Sequence, residues 1–294
     1  MDAKEIIGRC VRRLREEKGW SQEKLASSSN ITYQYLSGLE NGRQNFTLDI
    51  AQSLATSLEV SLDRLVALAY ADARGTTHPT VNPTFFRPHV PLPPPLSVEQ
   101  LRDALNEAQR VVFLVNSSLG SLGARPLSSY IQGNNFSGLV SNLLCDALSQ
   151  HSPFKHNSHK AYPDLISTGE NGESVGLEVK TTIQVGKGGE SHNGHSGWHL
   201  IACYKLKEDG SINFLHIMVA VLNGHTEEET DWNYLGSRVN AETGSRRTET
   251  YSTNAFGTTK LRDGSVYLDT DAIPIARWRQ LRRDHKPDYS PFTK

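Results

Sequence analysis

Cysteine is scarce in this chain of 294 residues: Cys10, Cys145 and Cys203 are widely separated and form no paired framework. A disulfide-stapled scaffold is thereby excluded, and the pattern suits the reducing cytoplasm, where the protein is expected to work. An excess of charge of one sign is also missing, because 31 Lys and Arg stand against 32 Asp and Glu. Attraction to any partner must then come from local patches rather than from net charge. No apolar run approaches the ~18–20 residues needed to span a bilayer. The first residues are charged, so neither a membrane segment nor a secretory leader is expected. The length and ordinary apolar content leave room for two domains and a sizeable core.

The N-terminus reads as five short helices between Ala3 and Leu68. Ile6, Ile7, Val11 and Leu14 recur at helical spacing, and Gly19 stops the first helix. Ser21 caps a second helix beginning at Gln22, and Thr32 caps a third over Tyr33–Glu40, closed by Asn41-Gly42. Thr47 and Ser61 cap two further amphipathic segments, 48–58 and 62–68. The order of polar and apolar positions in Trp20-Ser-Gln-Glu-Lys-Leu-Ala26 and in Ile31-Thr-Tyr-Gln-Tyr-Leu-Ser-Gly-Leu-Glu-Asn-Gly-Arg43 resembles the Cro/phage-repressor (Xre-type) helix-turn-helix family. The resemblance implies an all-α domain over residues 1–70 that binds double-stranded DNA. In that motif the N-terminus of the second helix faces a phosphate and the third helix enters the major groove. On the matching positions Gln22 would touch the DNA backbone. Thr32, Tyr33, Gln34 and Ser37 would face base edges, and Arg43 would reach a phosphate. Gln34 is the prime candidate for direct readout, since a glutamine can bond adenine bidentately. Nine Lys and Arg balance nine Asp and Glu across residues 1–70, which is not the make-up of a strong non-specific DNA binder.

Residues 71–97 hold Pro79, Pro83 and the run His89-Val-Pro-Leu-Pro-Pro-Pro-Leu96. Such proline density forbids helix and favours an extended, semi-rigid linker, with Phe85-Phe86 available as an anchor on the second domain. That second domain is expected over 98–294. Ser97 caps a helix over 98–114, or a helix running into a strand at 111–115, and a Gly/Ser-rich loop over 116–130 precedes a helix over 136–150. The segments 198–204 and 213–222 read as an antiparallel hairpin completing a mixed sheet, with His216 packed in the core strand.

The chemistry-bearing residues gather in Ala161-Tyr-Pro-Asp-Leu-Ile-Ser167 and Gly176-Leu-Glu-Val-Lys-Thr-Thr182. On a strand, Glu178 and Lys180 share a face, ~6.5–7 Å apart, while Val175, Leu177 and Val179 take the opposite, buried face. The glycines and Asn of 168–173 let the chain reverse, which sets Asp164 beside Glu178 on the neighbouring strand. Pro163-Asp164 followed by Glu178-Val179-Lys180 resembles the PD-(D/E)xK nuclease superfamily. The resemblance implies an α/β restriction-endonuclease-like domain, a mixed sheet flanked by helices, so that the whole chain is multidomain. It also implies Mg²⁺-dependent cleavage of DNA phosphodiesters by Asp164, Glu178 and Lys180. Asp164 and Glu178 supply the hard oxygens that Mg²⁺ prefers. Lys180 would orient or deprotonate the attacking water, or neutralise developing charge. A helix ahead of the Asp strand often adds a polar group in this superfamily, and Asn142 and Asp146, four apart on one face, are weak candidates.

Three histidines, His192, His195 and His199, have a spacing that suggests zinc, but no cysteine pair completes the site and the glycines around them imply a loop. A DNA-contacting loop with Lys187 following a phosphate is the preferred reading. Residues 240–260 are polar, carry Arg246-Arg247 and lack a core pattern. In the basic tail 277–283, Ile275, Trp278 and Leu281 would pack on a helix while the arginines face solvent or phosphate. The expected protein is a restriction-type endonuclease acting as a homodimer on a palindromic site, with a cognate DNA methyltransferase as functional partner. The alternative is a helix-turn-helix transcriptional regulator whose C-terminal domain binds a ligand or partner without catalysis.

Overall fold

A computed structural model describes residues 2–73, 78–157, 162–168, 172–187, 190–192, 194–236, 250–278 and 281–292. Arg246-Arg247 and the centre of the 168–173 reversal lie outside the described residues. The chain divides into two compact units, residues 1–78 with 117–124, and residues 79–116 with 125–294.

The first unit contains α1 (Ala3–Glu17), α2 (Gln22–Ser28), α3 (Tyr33–Glu40), α4 (Leu48–Ser57) and α5 (Leu62–Ala73). Its helix starts fall where the side-chain chemistry dictates. Ser21, Thr32 and Thr47 each accept a hydrogen bond from the backbone N–H three residues on, at 3.2, 3.2 and 3.3 Å. Asn30 and Gly19 adopt positive φ, which lets the chain turn tightly between the short helices. The core is Val11, Leu25, Leu36, Leu39, Leu54 and Leu65, with Cys10 among them. Gly8 permits the close crossing of α1 and α3, because a Cβ there would stand 2.1 Å from the Leu39 carbonyl oxygen.

The second unit is built on a six-stranded sheet of order β1 (Lys155–His156), β2 (Leu165–Thr168), β3 (Ser174–Thr182), β5 (Gly197–Leu206), β6 (Ile212–Leu222) and β9 (Ser265–Leu268). Among these described strands, only the β3/β5 pair is parallel. The α/β class and mixed sheet expected from sequence are present. One face, with Leu177, Val179, Leu200, Ala202, Tyr204 and Val219, is covered by α6 (Val98–Ser121) and α7 (Gly133–His151). The other face carries Ile201, Cys203, Met218 and Leu222. It packs against α8 (Ala255–Asp263) and against Trp232 and Tyr251 of a small sheet, β4 (Glu190–His192), β8 (Thr250–Thr253) and β7 (Trp232–Gly236). Among the described residues, no helix is long and apolar enough to cross a membrane.

Four expectations need correction. The proline-rich stretch is not a free linker throughout, since residues 79–97 belong to the second unit, where Val81, Val90 and Leu96 are buried. Phe86 lies 4.9 Å from the Tyr267 ring, the anchor that the paired phenylalanines offered. No strand forms at 111–115, because α6 continues to Ser121 and buries Ala108, Val112, Phe113 and Asn116 along one stripe. Within 240–260, Tyr251 of β8 is a core residue, and Thr250 of β8 and Thr259 of α8 are buried. Among the described residues of the tail, helical structure is limited to a 3₁₀ turn over Ile275–Arg277, yet Trp278 still packs, stacked 4.9 Å from His216. His216 is fully buried, as expected, and its Nε2 lies 2.7 Å from the Ser265 hydroxyl.

Candidate active site

Strand alternation and turn chemistry place the site. The β2/β3 register pairs Leu165 with Leu177, so Asp164, one residue earlier, falls opposite Glu178. Gly176 makes room for this approach: a Cβ on it would meet the Pro163 ring at 2.4 Å. The Asp164 carboxylate accepts from the Val179 backbone N–H at 2.9 Å, and the Asp164 N–H donates to Glu178 Oε2 at 3.3 Å. Lys180 Nζ donates to Glu178 Oε1 at 2.5 Å and to Asp164 Oδ2 at 3.5 Å. Two carboxylates and an ammonium thus form one cluster. Helix α7 fixes the strand behind it, since Ser141 donates to the Val179 carbonyl at 3.0 Å and Thr181 donates to the Ser137 carbonyl at 2.6 Å.

The electrostatics follow from burial. The Glu178 side chain is only 9% exposed, against 37% for Asp164 and 33% for Lys180. Burial raises the pKa of Glu178 and the Asp164 charge adds to that, with Lys180 opposing both. Burial disfavours the Lys180 charge as well, but the two adjacent carboxylates outweigh it and hold the ammonium above its ordinary value. A cation at Glu178 must therefore compete with a proton above the usual carboxylate range. Divalent-ion affinity is expected to weaken on acidification as Glu178 takes up its proton, and Mn²⁺ titrations across a pH series would measure this.

His199 completes the neighbourhood. The parallel β3/β5 register sets it beside Glu178, on the same face of the sheet. It is fully buried, between Tyr162 at 6.3 Å and Trp232 at 5.4 Å between ring centroids, and burial lowers its pKa to about 4. His195 stacks on Tyr162 at 4.0 Å instead of joining His199, and the His192 side chain lies outside the described residues. Among the described residues no three His, Cys, Asp or Glu side chains converge to hold a metal. The Asp164/Glu178 pair still fits Mg²⁺, which takes one or two carboxylates and fills its remaining positions with water and phosphate.

Other expected residues lie apart. Asn142 and Asp146 are exposed on α7, and Asp146 accepts from Gln150 at 2.7 Å, so they belong to a solvated face rather than to the site. Lys187 is exposed just beyond β3. In the first unit Thr32, Tyr33, Gln34 and Arg43 are exposed at and after the start of α3, and Ser37 is half-buried on it. Gln22 is partly engaged, because its Nε2 donates to Glu40 Oε2 at 2.6 Å. Glu40 in turn is fully buried against Arg15, a pair that sequence reading did not identify.

The fold of the first unit and the exposed start of α3 define a helix-turn-helix DNA-binding domain. Residues 11–65 match the helix-turn-helix family model, and through this segment the chain belongs to that family. It is 44% identical over 66 residues to an uncharacterized HTH-type transcriptional regulator of Sinorhizobium fredii, covering 22% of this chain and 86% of that protein. It is also 40% identical over 63 residues to a competence pilus inhibition repressor of Acinetobacter baylyi, covering 21% of this chain and 57% of the relative. A solved structure, the restriction-modification controller protein C.AhdI from Aeromonas hydrophila, is 37% identical over 21% of this chain and 94% of its own, with a TM-score of 0.21.

Proposed function

We propose that this protein couples a duplex-binding helix-turn-helix to a Mg²⁺-dependent DNA endonuclease of the restriction type. The observation that carries the proposal is the convergence of Asp164, Glu178 and Lys180 on adjacent strands of a mixed sheet. Asp164 and Glu178 would hold the ion, which when bound supplies Lewis-acid stabilisation of the scissile phosphate and a more acidic water. Lys180, kept protonated by two carboxylates, serves as a fixed positive charge toward the phosphate rather than as the base. Cutting both strands calls for two such sites, which a two-fold dimer on a palindromic sequence provides. A DNA methyltransferase of matching specificity is the functional partner such an activity calls for.

The second reading is a transcriptional regulator in which the Asp164–Glu178–Lys180 cluster is structural and the second unit binds a ligand or partner. The relatives favour it, since both carry regulator or repressor names. Their match covers about a fifth of this chain, so the role of the second unit rests on its own geometry. Incubating the full chain with phage or plasmid DNA and Mg²⁺ separates the two readings. Discrete fragments support the nuclease, whereas intact DNA beside a footprint on a promoter supports the regulator.

Both readings need α3 to read DNA. Gln34→Ala is expected to weaken binding to the cognate site by about 1–3 kcal/mol and to relax preference at one base pair. Arg43→Ala is expected to weaken binding to all sequences alike and to lower the salt slope by about one. Gel-shift titrations at several salt concentrations measure both effects.

A further inference from the structure

His199 carries an acceptor that the protein leaves unused. Its Nδ1 lies 2.9 Å from the Gly197 carbonyl oxygen. A carbonyl can only accept, so Nδ1 bears the hydrogen and the neutral ring presents a bare lone pair at Nε2. That nitrogen is buried and has no hydrogen-bond partner among the described residues. The donors nearby are committed elsewhere. The Tyr162 hydroxyl donates to the Ser196 carbonyl, and the Trp232 indole N–H donates to the His195 carbonyl at 3.2 Å. The Lys180 ammonium is held by Glu178 and Asp164. Leaving a buried acceptor unsatisfied costs about 1–3 kcal/mol, so its retention beside Glu178 asks for a donor from outside the chain.

We infer that His199 is a positioning residue of the Asp164/Glu178 site, its Nε2 accepting a hydrogen bond from a water in the hydration shell of the divalent cation held there. The inference rests on the endonuclease reading. Three features of the structure support it. The β3/β5 register sets His199 level with Glu178 on the same face. The Gly197 carbonyl fixes the tautomer as an acceptor, which is what a metal-bound water, a strong donor, requires. The tilted rings of Tyr162 and Trp232 on its two sides restrain the imidazole. Partners of this kind orient the groups around a metal and typically alter its affinity by about 10–100-fold. The charged groups near the ring are Lys180 on the neighbouring strand β3 and Asp164 just ahead of β2, and His195 lies on its own chain segment.

Mn²⁺ binding to the full-length protein, followed by calorimetry, tests the inference. His199→Phe keeps the aromatic packing and removes the acceptor. The expected result is Mn²⁺ affinity lower by about tenfold. Thermal stability without metal should change little, because removal of the unsatisfied Nε2 is offset by loss of the Nδ1–H bond to the Gly197 carbonyl. Wild-type Mn²⁺ affinity in His199→Phe overturns the inference. If that variant does not fold, ¹⁵N-histidine-labelled wild type decides. The Nε2 resonance of His199 should move on Mg²⁺ addition and stay still in Asp164→Asn, and a resonance that ignores Mg²⁺ overturns the inference. A wild type that binds no Mn²⁺ removes the endonuclease reading and this inference together. Binding that Asp164→Asn weakens but His199→Phe does not removes this inference alone.

Discussion

Asp164→Asn should lower DNA cleavage by at least about a hundredfold while leaving the fold and duplex binding intact. Asparagine keeps an oxygen able to accept from the Val179 N–H, now at 2.9 Å from Asp164 Oδ2, so the β2/β3 junction is retained. What disappears is one of the two charges that would hold the cation. A hundredfold loss corresponds to about 2.7 kcal/mol of transition-state stabilisation, the scale seen when one preorganised electrostatic partner is deleted. Lys180→Met should reduce cleavage on a similar scale for a different reason. It leaves Glu178 and Asp164 facing each other without their shared ammonium, so divalent-ion affinity should rise as turnover falls. The opposite signs on metal binding separate a ligand from a charge donor. Single-turnover cleavage, Mn²⁺ titration and a melting curve on each variant are the required measurements. Duplex affinity in a gel shift should not change, because Thr32, Gln34 and Arg43 belong to the other compact unit. Asp164→Asn protein that cuts as fast as the wild type would sink the mechanism.

The clustering of Asp164, Glu178 and Lys180 was legible because strands have a period of two. Leu165, Leu177 and Val179 mark one buried face, so Asp164, Glu178 and Lys180 must share the other once the chain reverses. The helix starts were equally legible, since each cap is a local bond between a hydroxyl and an amide three residues away. What escaped depends on partners distant in sequence. His199 appears as one histidine among three in a Gly-rich stretch, and only the parallel pairing of β3 with β5 brings it level with Glu178. The 111–115 run is β-branched enough to suggest a strand. It stays helical because α6 buries a continuous stripe through it, on which the Asn116 amide bonds the Val112 and Gly210 carbonyls at 2.9 and 3.0 Å. The proline-rich segment gave no helical or strand period, yet Val81 is tied to Asn106 Oδ1 at 2.9 Å and Phe86 reaches Tyr267. The Val81 contact leaves no local trace, whereas the paired phenylalanines did offer the anchor that Phe86 makes.

The largest stability effect is expected far from the carboxylates, at Arg15 and Glu40. Arg15 donates to both Glu40 oxygens, from Nε at 2.6 Å and from Nη2 at 3.0 Å, and its Nη1 donates to the Trp20 carbonyl at 2.8 Å. The Glu40 side chain is 0% exposed and that of Arg15 is 8% exposed, so either charge left alone would be buried without its counter-ion. Arg15→Leu or Glu40→Leu should each cost about 3–5 kcal/mol, a large share of what a small helical unit possesses. Urea titration with hydrogen exchange at the amides of α1–α4 would locate that loss in the first unit. The double variant Arg15→Met/Glu40→Leu should recover part of it, since two apolar side chains restore packing and leave no lone charge. Recovery stays incomplete because the Trp20 carbonyl and the Gln22 amide still lack their partners. DNA affinity should not return with stability. Glu40 holds the Gln22 side chain at the N-terminus of α2, where a phosphate is expected to dock, and leucine cannot hold it. A double variant that is stable yet binds the duplex as tightly as the wild type would show that the Gln22 tether has no part in DNA binding. Weak binding in a stable double variant would show that the buried pair serves recognition as well as folding.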